Sequence, residues 1–228
     1  MSELEQHLQP APGMTAFDYA MAIAKVGAIA FPFLGPGITL FDLVTAPARG
    51  KRMSDWCEDL RLHLNELSQK MDGLTPEALA TNGAFISAFA QATQTALKTH
   101  QEEKLEALRN AVLNVAAGLA PPEDHYQTFF LSLVDSLTPT HLLMLKQFKL
   151  QTSVKILESP EWLKSNVAAQ VAKDLLDRGL LGTGPGHAAV PDRNQLVMGR
   201  DGIYTFHAIP SLLGDEFLSF ITDPALKK

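Results

Sequence analysis

Residues that could carry acid–base or metal chemistry are scattered along this chain. Its seven histidines stand far apart, and neither a His-Glu-x-x-His nor a Glu-x-x-His spacing occurs. The closest approach to a paired site is Asp59 with His63, which would share one side of a helix. His100 with Glu103 and Lys104 forms a similar group. One carboxylate beside one histidine is typical of a surface ion pair, so we predict no metal ligands.

Nucleophilic catalysis also lacks a signature. Cys57 is the only cysteine, which excludes an intrachain disulfide and a cysteine-based zinc site. It stands in a helical pattern beside Trp56, where a buried thiol is expected. No Gly-x-Ser-x-Gly occurs, and the glycine-rich residues 182–186 lack the Lys-Ser/Thr of a P-loop. We therefore predict no catalytic residue and no cofactor, which favours a chain that is not an enzyme.

The overall composition bounds the class of protein. Of the 228 residues, 46% are hydrophobic and 19% are charged, as in an ordinary globular protein. The net charge of −6 disfavours nucleic acid as a partner. Residues 1–13 are acidic and polar and do not resemble a secretory signal, so we expect a cytoplasmic protein.

The most apolar stretch is residues 22–41, read AIAKVGAIAFPFLGPGITLF, and it follows a flexible arm predicted over residues 1–14. Pro32 and the Gly-Pro-Gly at 35–37 interrupt the helical pattern. We therefore predict an apolar helical hairpin over residues 20–46. Each arm is too short to span a bilayer, which takes about 20 uninterrupted apolar residues.

The residues after this hairpin bear on its role. Pro47 and Gly50 are expected to end the second arm near Ala46, and a short basic cluster follows. Apolar residues beside cations are typical of segments that meet a membrane surface or a partner, whereas burial in the core is the commoner use of apolar residues. The residues of this candidate contact surface are Phe31, Phe33, Leu34, Phe41, Arg49, Lys51 and Arg52.

Helical patterns fill the next part of the chain. Apolar residues from Met53 to Met71 recur at three- and four-residue steps, which predicts one amphipathic helix. Thr75-Pro76 is typical of a new helix start. No proline or glycine occurs over residues 84–117, which predicts one long helix unless it breaks near Thr99.

The charged middle of that segment, residues 100–106, is expected to be solvated. Glu123-Asp124 is expected to open the next helix, since carboxylates favour a helix N-terminus. Helix after helix with short connectors predicts an α-helical bundle over residues 15–137.

The last part of the chain, residues 138–228, has a different pattern. It predicts helices starting at Thr138, around Trp162 and over 167–178, two short strands over 196–198 and 203–206, and a final helix over 214–221. Helices followed by a two-stranded wing are typical of winged-helix domains. The predicted fold class is therefore mainly α, a multi-helix bundle followed by a winged-helix-like C-terminal segment with a short β-hairpin.

A winged-helix-like segment suggests DNA binding as one role. The helix over 167–178 would be the recognition helix. The candidate DNA contacts are Lys173, Arg178, Arg193 and Arg200. Asp174 and Asp177 stand among these cations, so the surface is balanced rather than basic, unlike a surface that follows phosphates.

Four stretches carry a resemblance to a known family. They are residues 101–115 (QEEKLEALRNAVLNV), 129–145 (FFLSLVDSLTPTHLLML), 175–181 (LLDRGLL) and 212–221 (LLGDEFLSFI). Together they resemble uncharacterised bacterial helical proteins of the abortive-infection alpha group, over about residues 75–221. The resemblance implies a bacterial or phage-related protein with a defence role. Its motifs are structural, so it assigns no functional residue.

The leading hypothesis is a non-enzymatic, mainly helical bacterial protein that acts through contact with a protein partner, with another copy of itself, or with a membrane surface. The alternative is a winged-helix DNA-binding transcriptional regulator. An enzyme of unrecognised type is the second alternative, and a pocket joining His63 or His100 to carboxylates would favour it.

Overall fold

Helices dominate the chain, and its strands are short. The computed structural model describes residues 40–150, 154–155, 165–182, 197–198, 204–206 and 208–226. The described helices are α1 (Leu40–Ser68), α2 (Pro76–Thr81), α3 (Gly83–Ala96), α4 (Glu102–Ala116), α5 (Asp124–Ser136), α6 (Pro139–Leu150), α7 (Ser165–Asp177) and α8 (Leu212–Phe220), followed by a 3-10 turn at Pro224–Leu226. The described strands are β1 (Val154–Lys155), β2 (Leu181–Gly182), β3 (Val197–Met198), β4 (Tyr204–Phe206) and β5 (Ile209–Pro210). The mainly helical fold class is confirmed.

Backbone contacts divide the chain into two compact units. The N-terminal unit comprises Met1–Leu131 with Asp223–Lys228, and the C-terminal unit comprises Ser132–Thr222. The division between them falls inside α5, so the domain boundary near Leu137 stays a prediction. The arm over 1–14, most of the hairpin over 20–46, the helix around Trp162 and the glycine-rich loop after Gly182 lie outside the described residues.

Helix α1 is longer than its sequence suggests. It runs without interruption for 29 residues, through both Pro47 and Gly50. The predicted end near Ala46 is therefore wrong. A proline inside a helix removes one backbone hydrogen bond and costs about 3 kcal/mol. A long apolar stripe follows Pro47 along the same helix.

That stripe anchors α1 in the N-terminal unit. The predicted core residues Trp56, Leu60, Leu64 and Leu67 are all buried, and the Trp56 indole Nε1–H donates to the Thr93 hydroxyl at 3.0 Å inside the core. Burying a large apolar side chain contributes about 1.5–3 kcal/mol. The four side chains together hold the second half of α1 in the core of the N-terminal unit.

Side-chain caps set the boundaries of α2 and α3. The Thr75 hydroxyl accepts from the Ala78 N–H at 3.2 Å, and Pro76 occupies the first helical position, as its sequence predicts. The Asn82 side chain then accepts from the Phe85 N–H at 3.0 Å, so one residue ends α2 and starts α3. These two caps explain why the chain turns twice within ten residues without a long loop.

The stretch over 84–117 forms two helices, α3 and α4, so the single long helix is wrong and the alternative, a break near Thr99, is observed. The Thr99 hydroxyl accepts from the Gln101 N–H at 3.1 Å, a local bond that competes with helix continuation. The expected solvation of residues 100–106 is wrong at Lys104, whose side chain is only 8% exposed. Lysine buries its aliphatic stem against apolar neighbours when a helix face requires it.

The C-terminal unit combines helices with two small sheets. Helices α6 and α7 pack together, and α8 packs on α6. Strands β3 and β4, predicted as a pair, pair antiparallel with Met198 opposite Tyr204. Strand β1 joins the other side of β4, which gives a three-stranded order β1-β4-β3, and β2 pairs with β5 in a separate sheet.

The start of α8 lies directly against the backbone that follows α7. Gly179 (φ +72°) ends α7, and the carbonyl of Leu180 then accepts from the Ser211 N–H at 3.0 Å. A Cβ on Gly214 would stand 2.0 Å from that same Leu180 carbonyl oxygen. Only glycine permits this approach, because neither backbone segment can give way without breaking its hydrogen bonds.

We therefore expect Gly214→Ala to lower the free energy of unfolding by at least about 2 kcal/mol, since overpacking against a backbone atom forces a shift of the main chain. Urea unfolding followed by circular dichroism measures the change. The matched control is Gly83→Ala at the start of α3, where an added Cβ meets nothing within 4 Å. Equal stability of the two variants would contradict the close approach.

Candidate functional site

The candidate contact surface is only partly described. Phe31, Phe33 and Leu34 lie outside the described residues, whereas Phe41 and Arg49 stand on the backbone of α1. Lys51 and Arg52 also lie on α1, and both side chains are exposed. The cations therefore belong to the same continuous helix as the apolar residues 40–46, rather than to a loop after them.

Arg52 also has a structural contact. Its guanidinium Nη1–H donates to the Leu97 carbonyl at 3.4 Å, and Leu97 is the C-cap residue of α3. A cation near the C-terminus of a helix is favourable, because the last carbonyls carry a partial negative charge. The bond is long and exposed, so it leaves the guanidinium accessible from solvent.

The Asp59–His63 pair exists, with a third partner that sequence spacing does not show. His63 Nδ1 lies 2.8 Å from the Asp59 carbonyl oxygen and 3.5 Å from its carboxylate. The stronger contact of that carboxylate is with Arg109 on α4, whose Nη1 lies 3.1 Å from Oδ2. Because these residues are 50 positions apart, no local pattern could identify the pair. The Arg109 contact joins α4 to α1, whereas the His63 contact lies within α1.

The cations proposed to meet DNA are engaged in intrahelical ion pairs. Lys173 Nζ lies 2.5 Å from Asp177 Oδ2, and Arg178 Nε lies 2.9 Å from Asp174 Oδ2. Because each cation is paired with a carboxylate, this side of α7 has little net positive charge. Arg193 and Arg200 lie outside the described residues.

Asp174 takes part in a larger polar network that joins α5, α6 and α7. His141 Nε2 lies 3.0 Å from Asp174 Oδ2, and the Arg178 Nη1–H donates to the Ser136 hydroxyl at 3.1 Å. On its other side, His141 Nδ1 accepts from the Thr138 N–H at 3.3 Å and lies 2.7 Å from the Thr138 hydroxyl oxygen. Only the Thr138-Pro139 start is visible in the sequence, since Asp174 is far along the chain.

This geometry fixes the protonation of the ring. A backbone N–H can only donate, so His141 Nδ1 must be unprotonated, and Nε2–H then donates to Asp174. Burial lowers the pKa of His141, since the side chain is 12% exposed and a charged ring would lose solvation, although the Asp174 carboxylate acts in the opposite direction. A hydroxyl, an imidazole and a carboxylate are in contact here, as in a nucleophilic triad. His141 Nδ1 already accepts from the Thr138 N–H at the start of α6. If Nδ1 took the proton of the Thr138 hydroxyl, it could no longer accept this bond and the start of α6 would be disrupted. We therefore assign the network a structural role.

Other chemistry has little support in the described part of the chain. Cys57 is buried, as predicted, with its Sγ 3.9 Å from Met53 Sδ. No group of three or more His, Cys, Asp or Glu side chains there is arranged to hold a metal ion. No single described helix is long and apolar enough to cross a membrane; α5 and α6, bent by 116°, pass such a test only as a pair.

The His141 network generates a pH-dependence. The unfolded chain takes up the His141 proton near the ordinary value of 6.5, whereas the folded chain does so only at lower pH. The stabilising contribution is therefore present above pH 6.5 and is lost as the pH falls through the lowered folded-state pKa. We expect the urea midpoint of the wild type to fall over this range.

His141→Gln should flatten that pH-dependence, because the group that must gain a proton is gone. The matched control is His100→Gln, which removes an exposed histidine and keeps the network. Urea midpoints of the three proteins, measured from about pH 8 to about pH 5, provide the comparison. A wild-type slope that persists in His141→Gln would contradict the assignment.

The chain matches no protein-family model, no curated protein and no solved structure.

Proposed function

We propose that this chain is a non-enzymatic bacterial protein that acts through contact with a protein or a membrane surface, and that the contact is made by the apolar segment leading into α1 and by the first turns of α1. The candidate contact surface defined above, from Phe31 to Arg52, is the core of this proposal. The resemblance to the abortive-infection alpha group adds a defence role as the biological setting.

The observation that carries the proposal is the direction of the apolar positions on α1. Seven residues along a helix return to nearly the same side, with a drift of about 20°. Lys51 and Glu58 are both exposed. One step of seven back from Lys51 reaches position 44, a valine, and eleven residues back reaches position 40, a leucine. Positions 40 and 44 therefore fall on the outer side of α1.

The core side of the same helix is partly polar in its first turns. Trp56 is only 5% exposed and marks the side that faces the core. Steps of seven back from Trp56 reach Arg49 and then Asp42. Steps of seven back from the buried Leu60 reach position 46, an alanine, which is an apolar position of the first turns that continues the core stripe. Positions 40 and 44 do not continue it. Apolar residues on the other side of the helix require a different apolar neighbour, which a partner or a lipid surface would supply.

The cations strengthen the case for a contact surface. Lys51 is exposed on the same side as positions 40 and 44, and Arg52 is exposed one position further on. Each cation near an anionic lipid surface contributes about 1 kcal/mol. Position 49 falls on the core side of α1, so two cations of the candidate contact surface, Lys51 and Arg52, stand beside the apolar strip. An apolar strip beside two cations suits an anionic membrane or an acidic protein surface.

We expect the wild-type chain to float with vesicles that contain phosphatidylglycerol, or to self-associate in sedimentation velocity, and we expect Val44→Glu to abolish that behaviour. A carboxylate at position 44 interrupts the apolar strip, and its negative charge offsets the positive charge of Lys51. The matched control is Leu62→Glu, which makes the same kind of change on the same side of α1, at a residue that is 47% exposed.

Circular dichroism of each variant reports whether it is folded. If the wild type neither floats nor self-associates, or if the two variants behave alike, the candidate contact surface is wrong. Flotation without self-association favours the membrane, and self-association without flotation favours a second copy of the chain.

A winged-helix DNA-binding regulator is the second candidate, and the strand order favours it. A three-stranded sheet in the order β1-β4-β3, with β1 after α6 and α7 before β3, follows the order of elements in a winged helix. The charge of α7 opposes the DNA role, since Lys173 and Arg178 are paired with carboxylates. We therefore propose that a winged-helix-like segment, if used for contact, meets protein.

A gel-shift experiment with double-stranded DNA at low salt separates these roles. We expect no shift for the wild type and no difference for Lys173→Glu with Arg178→Glu, because these cations already have acidic partners. A salt-sensitive shift that the double variant abolishes would replace the contact proposal for this unit with DNA binding.

A further inference from the structure

A cleft opens at the end of α1 opposite to the candidate contact surface. Its volume is about 290 Å³, and its walls come from the turn after α1, from α2 and from the end of α4, all within the N-terminal unit. A volume near 300 Å³ is the lower limit for small-molecule pockets in proteins. The cleft therefore suits a ligand of only a few heavy atoms.

The walls are mostly small and apolar. Leu74, Leu79 and Ala78 form one side, and the last turn of α4, with Ala116 and Ala117, forms the other. Gly73 and Gly118 line the cleft with φ of +86° and +67°, values that favour glycine, and an added Cβ at either would meet nothing within 4 Å. Turn geometry, rather than crowding, thus requires the glycines, and their missing side chains leave the cleft open.

Hydrogen bonds hold the α4 side of the cleft rigidly. The Gly118 N–H donates to the Val115 carbonyl at 3.1 Å, and the Leu119 N–H donates to the Asn114 carbonyl at 2.9 Å, which is the pattern of a Schellman cap. The Asn114 side chain is fully buried and donates to the Asn110 carbonyl at 2.8 Å. The wall is therefore formed before any ligand arrives.

The charge of the cleft is negative. Asp72 is exposed in its lining, and no lysine, arginine or histidine occurs among the described lining residues. The C-terminal end of α4 and Asn82, the N-cap residue of α3, both border the cleft, so the negative end of one helix dipole is offset by the positive end of another. The Asp72 carboxylate therefore sets the sign of the charge. An apolar cleft with a carboxylate at its mouth is complementary to a cation with a short aliphatic body.

We propose that this cleft binds a small free aliphatic amine, with the alkyl chain against Leu74 and Leu79 and the ammonium group near Asp72. The cleft shares no residue with the candidate contact surface, so either proposal can fail without the other. The ligand class is fixed by three features together: a small volume, apolar walls and a negative rim.

The test uses the full-length chain labelled with ¹⁵N and titrated with pentylamine. We expect saturable shifts of the Gly73 and Gly118 amide signals, which are easily identified among glycines. Pentanol, which has the same body without the charge, should bind more weakly, and hexanoate should not bind. A histone-like lysine-rich peptide that shifts these signals while pentylamine does not would overturn the free-amine proposal in favour of a protein side chain.

Two variants test the site itself. Asp72→Asn should weaken pentylamine binding about two- to fivefold, the range expected when one exposed ion pair is lost. Ala78→Leu should abolish binding, because the larger side chain fills the cleft from α2. The matched control is Glu77→Gln, which removes an exposed carboxylate of α2 outside the lining.

Each outcome of these experiments bears on a different part of the proposal. Equal binding of pentylamine and pentanol, or an unchanged affinity in Asp72→Asn, would overturn the cation specificity. Wild-type affinity in a folded Ala78→Leu variant would overturn the location. Weakening in Asp72→Asn with wild-type affinity in Glu77→Gln supports the proposal.

Discussion

The burial of one side of α1 is the constraint on which the N-terminal unit depends. Trp56, Leu60 and Leu64 fix this helix against its neighbours, and the bond from Trp56 to Thr93 sets its rotation. Once the rotation is set, every other position on the helix has a defined side. The packing of the second half of α1 therefore determines which positions of its first turns face away from the core, although those turns contribute little to the core stripe.

Local signals predicted much of this fold. The spacing of apolar residues identified the buried side of α1, and Thr75-Pro76 identified the start of α2. Each of these features depends on neighbours within a few residues, so the sequence contains the information directly. The strand pair β3–β4 belongs to the same class, since it was predicted from two short runs beside a turn.

Features that depend on distant residues could not be predicted in this way. Propensity alone ends α1 near Pro47, whereas the helix continues through this proline. The contacts of Arg109 with Asp59 and of His141 with Asp174 join different helices, so no spacing rule reaches them. The cleft beside Asp72 is likewise assembled from the ends of separate helices.

The two ends of α1 carry opposite charge. Lys51 and Arg52 lie about three turns into the helix, and Asp72 follows its C-terminal end. From Lys51 to the last residue, Ser68, the helix rises about 26 Å at 1.5 Å per residue. The screening length at physiological salt is about 8 Å, far shorter than this distance.

Charges at one end of α1 are therefore screened from those at the other. An anionic surface held by the cations would not change the field at the cleft, and a cation in the cleft would not weaken the contact surface. Any dependence of one end on the other would have to pass through the packing of the helix itself. Because the core side of α1 is buried along its anchored half, that packing resists rotation, and the two ends should act independently.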